Sequence, residues 1–366
     1  MLHFVLTFGD VCLGLCQDLD EAGDMGLFNV DALDVLTMGR IGVDIYPLQT
    51  GVGLQDVDNF GKFLGGSPTN VAVAAARLGS SSGIVSAVGE DPFGTFCREE
   101  LGRLGVYEDF VQTMVGHNTP VTFCEIFPPD NFPLYFYRRP VAPDMLLTPD
   151  MLPVGAIEAA RVFWVTGTGF SSQPSRDAHF AALETRASTG ITALDLDFRA
   201  QFWESPDEAR IRMRDALKMV TIAVGNRQEC EVAVGEDDPV AAGQALLRLG
   251  VRVAVVKDGP RGATLITDDE VVHVPGTRVD VLNGLGSGDA FGGALCYGLV
   301  QGWELGELLA VASAAGAIVA SRLECATAMP TLPELRRMVQ EHPQPLTRTC
   351  TTNRSHQGAP SEESND

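Results

Sequence analysis

The chain is 366 residues long, 45% hydrophobic, and carries a net charge of −22 from 26 Lys and Arg against 48 Asp and Glu. That length and apolar content suffice for one large α/β domain or two smaller ones, and the acidic balance argues against a nucleic-acid or anionic-membrane surface. The eight cysteines are scattered, with no CxxC pair and no His cluster at zinc-ligand spacing, as in a reduced cytoplasmic protein without a structural metal.

Residues 1–34 begin apolar but lack a basic segment and a small-residue cleavage site. The expectation is a poorly ordered extension, with Met25 as a candidate start, and no secretory signal. Six runs then read as strands: 35–39, 83–89, 161–167, 191–197, 220–225 and 251–259. Few polar residues interrupt them, as in strands buried on both faces of a parallel sheet. Segments 69–78, 92–104, 206–217, 237–249 and 304–321 carry helical spacing between and after them. The alternation predicts a doubly wound, mostly parallel α/β sheet sandwiched by helices over residues 35–340.

Two stretches break the alternation. VTFCEIF (121–127) and LYFYRR (134–139) are joined by PPDNFP, which predicts a β-hairpin standing off the sheet as a small lid. LLAVASAAGAIVAS from Leu308 is 14 residues long, too short for a bilayer, and reads as a buried helix. From Glu341 to the end the chain is rich in Pro, Ser and Thr, and disorder is expected over 341–366. No internal repeat or linker divides the core.

NGLGSGDAFGGAL (283–295) packs five glycines around one carboxylate, Asp289. It reads as a glycine turn followed by a helix. Free N–H groups of Gly286, Ser287 and Gly288, with the helix dipole, would form an anion pocket. Asp at a helix start is equally a favoured cap, and both readings stand at this point. There is no Walker loop anywhere. A dinucleotide site using VTGTGFSS (165–172) is disfavoured, because no acidic residue ends the next strand about 20 positions on.

A second glycine cluster, GKFLGGSPTNVAVAAARLG (61–79), places Gly65 and Gly66 before Asn70 and an Ala-rich helix. With both motifs, the sequence resembles the ribokinase-like (PfkB) carbohydrate kinase family, which carries Gly-Gly-x-x-x-Asn early and Gly-Ala-Gly-Asp late. The resemblance covers about 35–340. It implies Asp289 as general base, Gly286, Ser287 and Gly288 around the transferring phosphoryl group, and a sugar seat that includes Asp44, Gly65, Gly66, Ser67 and Asn70. In GNRQECE it implies Asn226 near the phosphates and Glu229 ordering Mg2+ through water. In VVKDGPRGA it implies Lys257, Gly259 and Gly262 beside ATP. One departure is Asn283-Gly284, where the family often has Asp-Thr.

Within that family, GRIGVDIYP (39–47), FYRRP (136–140) and ATAMPTLPEL (326–335) are most similar to kinases of keto-deoxy sugar acids, one group of which serves myo-inositol breakdown. The resemblance places Tyr137, Arg138 and Arg199 on the substrate, with Asp195 and Asp197 beside them. Guanidinium suits a planar carboxylate; pairing of the arginines with Asp144 or Asp195 is the plain alternative. The implied partners are a sugar acid and Mg·ATP, with no nucleic acid and no membrane. A monovalent cation and a homo-oligomer stay open. The same motifs would serve a 2-keto-3-deoxygluconate kinase or a fructokinase. A non-catalytic sugar- or nucleotide-binding protein would keep the glycine loops but need not keep Asp289 and Glu229.

Overall fold

The computed structural model describes residues 32–186 and 190–350. The chain begins its sheet with Val35–Met38 (β1), every residue of which is buried. Successive side chains face opposite cores. Val35 joins a cluster with the helix Ser67–Leu78 (α1), and Leu36 and Met38 join a second cluster on the other face. This is the period-two alternation of a strand covered on both sides.

Gly42–Pro47 (β2) and Phe60–Gly65 (β3) come before α1, and Ser82–Gly89 (β4), Pro92–Arg103 (α2), Val106–Tyr107 (β5) and Val111–Met114 (β6) follow it. The predicted hairpin is Val121–Cys124 (β7) with Leu134–Tyr137 (β8), paired antiparallel. Next come Val154–Ala159 (α3), Val162–Thr166 (β9), Ser175–Arg186 (α4), Ile191–Asp195 (β10), Pro206–Leu217 (α5) and Ile222–Asn226 (β11). Arg227–Val234 (α6), Pro239–Leu247 (α7), Val253–Lys257 (β12), Ala263–Ile266 (β13) and Glu270–Val274 (β14) lead to Ser287–Gln301 (α8), Leu305–Ala320 (α9), Leu332–Glu341 (α10) and Thr347–Cys350 (β15).

The main sheet runs β15-β14-β13-β12-β11-β10-β9-β1-β4-β5, with β6 also on β4. It is parallel from β12 to β5 and antiparallel from β12 to β15. One core cluster lies under α1, α2, α8, α9 and α10, the other under α3 to α7. The Ala-rich α9 is the buried helix expected from its sequence, and among the described residues no helix is long and apolar enough to cross a membrane.

The lid is larger than the hairpin. β3, β2, β7 and β8 form a separate four-stranded sheet, so Asp44 lies within β2 and does not end the first strand. Gly39, at φ 140°, lets the chain turn from one sheet into the other. A third, small apolar cluster joins Tyr46, Cys124, Ile126 and Phe132 of the lid to Leu285, Leu323 and Cys325 of the body.

Both ends of the predicted domain need correcting. Leu33 is buried, and the Asp34 carboxylate accepts from Ser81 N (3.0 Å) and Oγ (3.1 Å) and meets Arg161 (3.1 Å). The core therefore takes in residues assigned to the extension; residues 1–31 lie outside the described ones. At the other end, part of the stretch expected to be disordered is a strand. β15 pairs residues 347–350 with β14, where an otherwise open sheet edge compensates for poor strand composition; 351–366 lie outside the described residues.

Candidate active site

Helix α8 starts at an αL glycine, Gly286 (φ 79°), with no side-chain cap. A Cβ there would also lie 2.8 Å from Cys325 Sγ, so this position needs glycine for conformation and for space. Ser287, Gly288 and Asp289 are the first helical residues, and their N–H groups are those a helix leaves without internal partners. Asn283 is fully buried. Its Nδ2 donates to Leu323 O (2.7 Å) and its Oδ1 accepts from Leu285 N (3.1 Å). A carboxylate could not make the first bond, so the departure at 283 ties the glycine turn to the 321–325 loop.

Asp289 does not cap its helix. Its Oδ1 accepts from Ser67 Oγ (2.7 Å) and its Oδ2 from Asn70 Nδ2 (2.8 Å). The two glycine motifs therefore meet. Burial raises the Asp289 pKa, against the lowering effect of those two hydrogen bonds, the direction that favours proton acceptance by a carboxylate. Asn70 Oδ1 is buried without a partner among the described residues, a cost that a ligand hydroxyl would remove. Gly66 (φ 108°) packs against the Arg40 carbonyl and Gly65 against the Asp44 carboxylate, both too closely for a side chain.

A cavity of about 770 Å³ opens beside the turn, with Lys257, Gly259, Gly262, Ser287 and Gly288 among its lining residues. That is within the usual size range of a small-molecule site. Lys257 Nζ would stand 3.3 Å from a Cβ on Gly288 and lies 3.7 Å from Asp195. Burial lowers the Lys257 pKa, but the carboxylates of Asp195, Glu229 and Asp289 outweigh it and hold the ammonium charged. Burial pushes Asp195 upward.

Asn226 and Glu229 form a capping box on α6: Asn226 Oδ1 accepts from Glu229 N (2.9 Å) and Glu229 Oε2 from Asn226 N (2.8 Å). Glu229 Oε1 still faces Arg199 at 3.7 Å. Among the described residues no three His, Cys, Asp or Glu cluster as a metal cage. Glu229 and Asp195 as the nearby carboxylates fit a Mg2+ held mostly by phosphate and water.

On the lid side, burial raises the Asp44 pKa to about 6, against the Tyr46 hydrogen bond and the Arg40 charge. Tyr46 Oη donates to Asp44 (2.9 Å) and contacts Cys325 Sγ (2.8 Å). Tyr137 is 66% exposed and stacks edge-on against Phe123. It is paired with Val121, on the face opposite that of Asp44. The aromatic that faces the site is Phe136, one residue earlier, because strand side chains alternate. Arg138 does point inward, but it is paired with Asp144 at 2.6 Å. Arg199 pairs with Asp197 at 3.0 Å, not with Asp195. Burial would raise the Asp197 pKa, yet Arg199 and Arg40 hold it below the usual range.

A sequence profile described as pfkB family carbohydrate kinase matches residues 32–332. The chain belongs to the PfkB family of carbohydrate kinases. This kinase is 35% identical over 322 residues to the 5-dehydro-2-deoxygluconokinase of Photobacterium profundum, with 86% of this chain and 97% of that one covered. It is 30% identical over 317 residues to the enzyme of the same name from Clostridium beijerinckii, covering 84% and 93%. Among solved structures, an E. coli protein described as a ribokinase II, with ATP and Mg2+, gives a TM-score of 0.78 at 25% identity, covering 85% of this chain and 100% of that one. A Vibrio cholerae fructokinase with fructose, ADP and calcium gives 0.74 at 25% identity, covering 84% and 99%. The fold is ribokinase-like.

Sequence reasoning passed over one buried charge of the kinase. Arg40 is 7% exposed. Its Nη2 donates to Asp197 (2.7 Å) and its Nε to Thr168 Oγ1 (3.1 Å). The signal was present: a lone arginine inside the apolar run VLTMGRIGV must find a partner or stay outside.

Proposed function

We propose that this kinase transfers the γ-phosphoryl group of ATP to the terminal hydroxyl of 5-dehydro-2-deoxy-D-gluconate, a step of myo-inositol breakdown. The observation that carries the reading is the junction of the two glycine motifs: Asp289 is fixed by Ser67 and Asn70, and the residues just before it, Ser287 and Gly288, line the 770 Å³ cavity. The substrate follows the names of the two relatives above.

Phosphoryl transfer asks mostly for positioning and charge stabilisation. Asp289 takes the proton from the attacking hydroxyl. The N–H groups at Gly286, Ser287 and Gly288 receive the equatorial oxygens of the moving group, and Lys257 adds a fixed positive charge. Glu229, through water, would help hold a phosphate-bound Mg2+, which would neutralise phosphate charge. Asn226, Gly259 and Gly262 flank the nucleotide. Asp44 and the Oδ1 of Asn70 accept from sugar hydroxyls, with Gly65, Gly66 and Ser67 giving them room. Arg138 and Arg199 face the substrate carboxylate.

The Arg138–Asp144 ion pair favours a second reading, a neutral ketose, since that guanidinium is already paired. A coupled ADP-release assay across sugar acids and neutral sugars separates the two. The keto-deoxy acid should be the best substrate, and a preference for fructose would refute the acid assignment while leaving the kinase in place.

A further inference from the structure

Three guanidinium groups meet at the seam between lid and body. Arg40 lies 5.5 Å from the centroid of the Phe202 ring and Arg138 5.2 Å from the same centroid. Phe136 of the lid closes edge-on against Phe202 at 4.8 Å and also meets Arg40, at 5.9 Å. Arg199 uses both terminal nitrogens, while its buried Nε has no partner among the described residues. Its Nη2 is on Asp197 and its Nη1 on Phe198 O. Arg40 commits Nε and Nη2, whereas Nη1 has no bonding partner among the described residues.

The backbone at Asp197 is built for this contact. It is the one non-glycine with positive φ (30°) among the described residues, a sparsely populated conformation that persists only where the surroundings hold it. Its two oxygens serve two different arginines, Arg40 and Arg199. Asp197 and Asp144 are the carboxylates in direct ion pairs with the three guanidinium groups, Glu229 lies 3.7 Å from Arg199, and the charges of Asp44 on Arg40 and of Asp195 and Asp289 on Arg199 also act here. An anion entering beside Phe202 would meet that Nη1 of Arg40. The two rings would keep water from that pair, which strengthens a charge-assisted bond.

We propose that Arg40 is a specificity-determining residue whose guanidinium, held against Phe202 beside Arg138, receives the carboxylate of the sugar-acid substrate. Arg199, besides facing the substrate, then also positions Arg40 through the Asp197 they share. The assignment rests on the sugar-acid reading above. It also gives a reason for a charged residue in the β1–β2 corner. Thr69 Oγ1 donates to the Arg40 carbonyl (2.9 Å), so the carboxylate seat is anchored to the same helix start that holds Asp289.

The test compares kcat/KM for 5-dehydro-2-deoxygluconate with that for its carboxamide, which keeps the shape and removes the charge. Wild type should prefer the acid. Arg40→Gln should reduce the acid-to-amide ratio by about 30- to 5,000-fold, and Arg40→Lys should recover part of it. A purely structural arginine would lower both substrates together and leave the ratio unmoved, which would overturn the proposal. Should Arg40→Gln not fold, Phe202→Leu decides. Loss of the stacking ring should reduce the ratio by roughly 2- to 30-fold, and an unchanged ratio rejects the seat. A wild type indifferent to the charge would instead refute the sugar-acid reading, before any variant is made.

Discussion

Asn70 Nδ2 donates to Asp289 Oδ2 at 2.8 Å across a separation of 219 residues. With Ser67 on the other oxygen, the carboxylate cannot rotate, and each oxygen keeps a lone pair for the substrate. Asp289→Asn should therefore lower kcat by about 10²- to 10⁴-fold, the usual cost of losing a general base. The amide can keep both bonds, its oxygen accepting from Asn70 Nδ2 and its NH2 donating to the Ser67 hydroxyl, so stability should change by no more than about 1 kcal/mol. Steady-state rates with a parallel thermal melt check both parts. Near-normal turnover would leave Asp289 as a bracket between two helices.

The pH profile follows from Asp44. Its pKa, raised by burial to about 6, means that the charged acceptor is lost as pH falls through about 6. The acid limb of kcat/KM should lie there, shared with the raised Asp289 as one coupled titration. The Tyr46 bond lowers the Asp44 value, so Tyr46→Phe should move the limb to higher pH. A limb that stays put would exonerate Asp44. Stability has the opposite sign: a raised carboxyl stabilises below its unfolded pKa, and that contribution is lost as pH rises through about 6. Asp44→Asn should accordingly raise the melting temperature at pH 8 while raising KM for the sugar.

What the sequence disclosed was whatever has a local period. β1, β4, β9, β10, β11 and β12 are apolar runs buried on both faces, and each falls where its pattern placed it. The glycine turns and Asp289 were legible because backbone approach and positive φ demand particular residues. Long-range pairing left no such mark. Arg40 finds Asp197 157 positions away, and no spacing announces that. FYRR carries its alternation openly, but which face meets the body depends on how the lid sheet docks, so Phe136 and Tyr137 were exchanged. Asn-x-x-Glu reads the same as a capping box or as a metal-side pair, and at 226–229 the capping box is realised.

The start of the core is testable by length. Leu33 is buried and Asp34 holds Ser81 and Arg161. A chain starting at Met25 should keep its melting temperature and activity. One starting at Val35 should lose about 1.5 to 3 kcal/mol for Leu33 alone, read by denaturant titration. Equal stability of the two would place the boundary where the sequence expectation had it.

The lid's hold on the 284–288 glycine turn is the remaining test. A Cβ at Gly284 would lie 2.9 Å from the Phe132 ring, and Phe132 sits in the small cluster that joins the lid to Leu285 and Cys325. Gly284→Thr should therefore push the ring away and loosen the lid over the substrate, with KM for the sugar acid rising and kcat/KM falling about tenfold or more. Phe132→Ala alone should also weaken the lid. In the double variant the threonine has the vacated space, so the two losses should not add. Residues in direct contact typically couple by 0.5 to 3 kcal/mol, and a double-mutant cycle on kcat/KM measures that term. Strict additivity would mean that Gly284 matters only for the geometry of its own turn, and that the lid is held shut elsewhere.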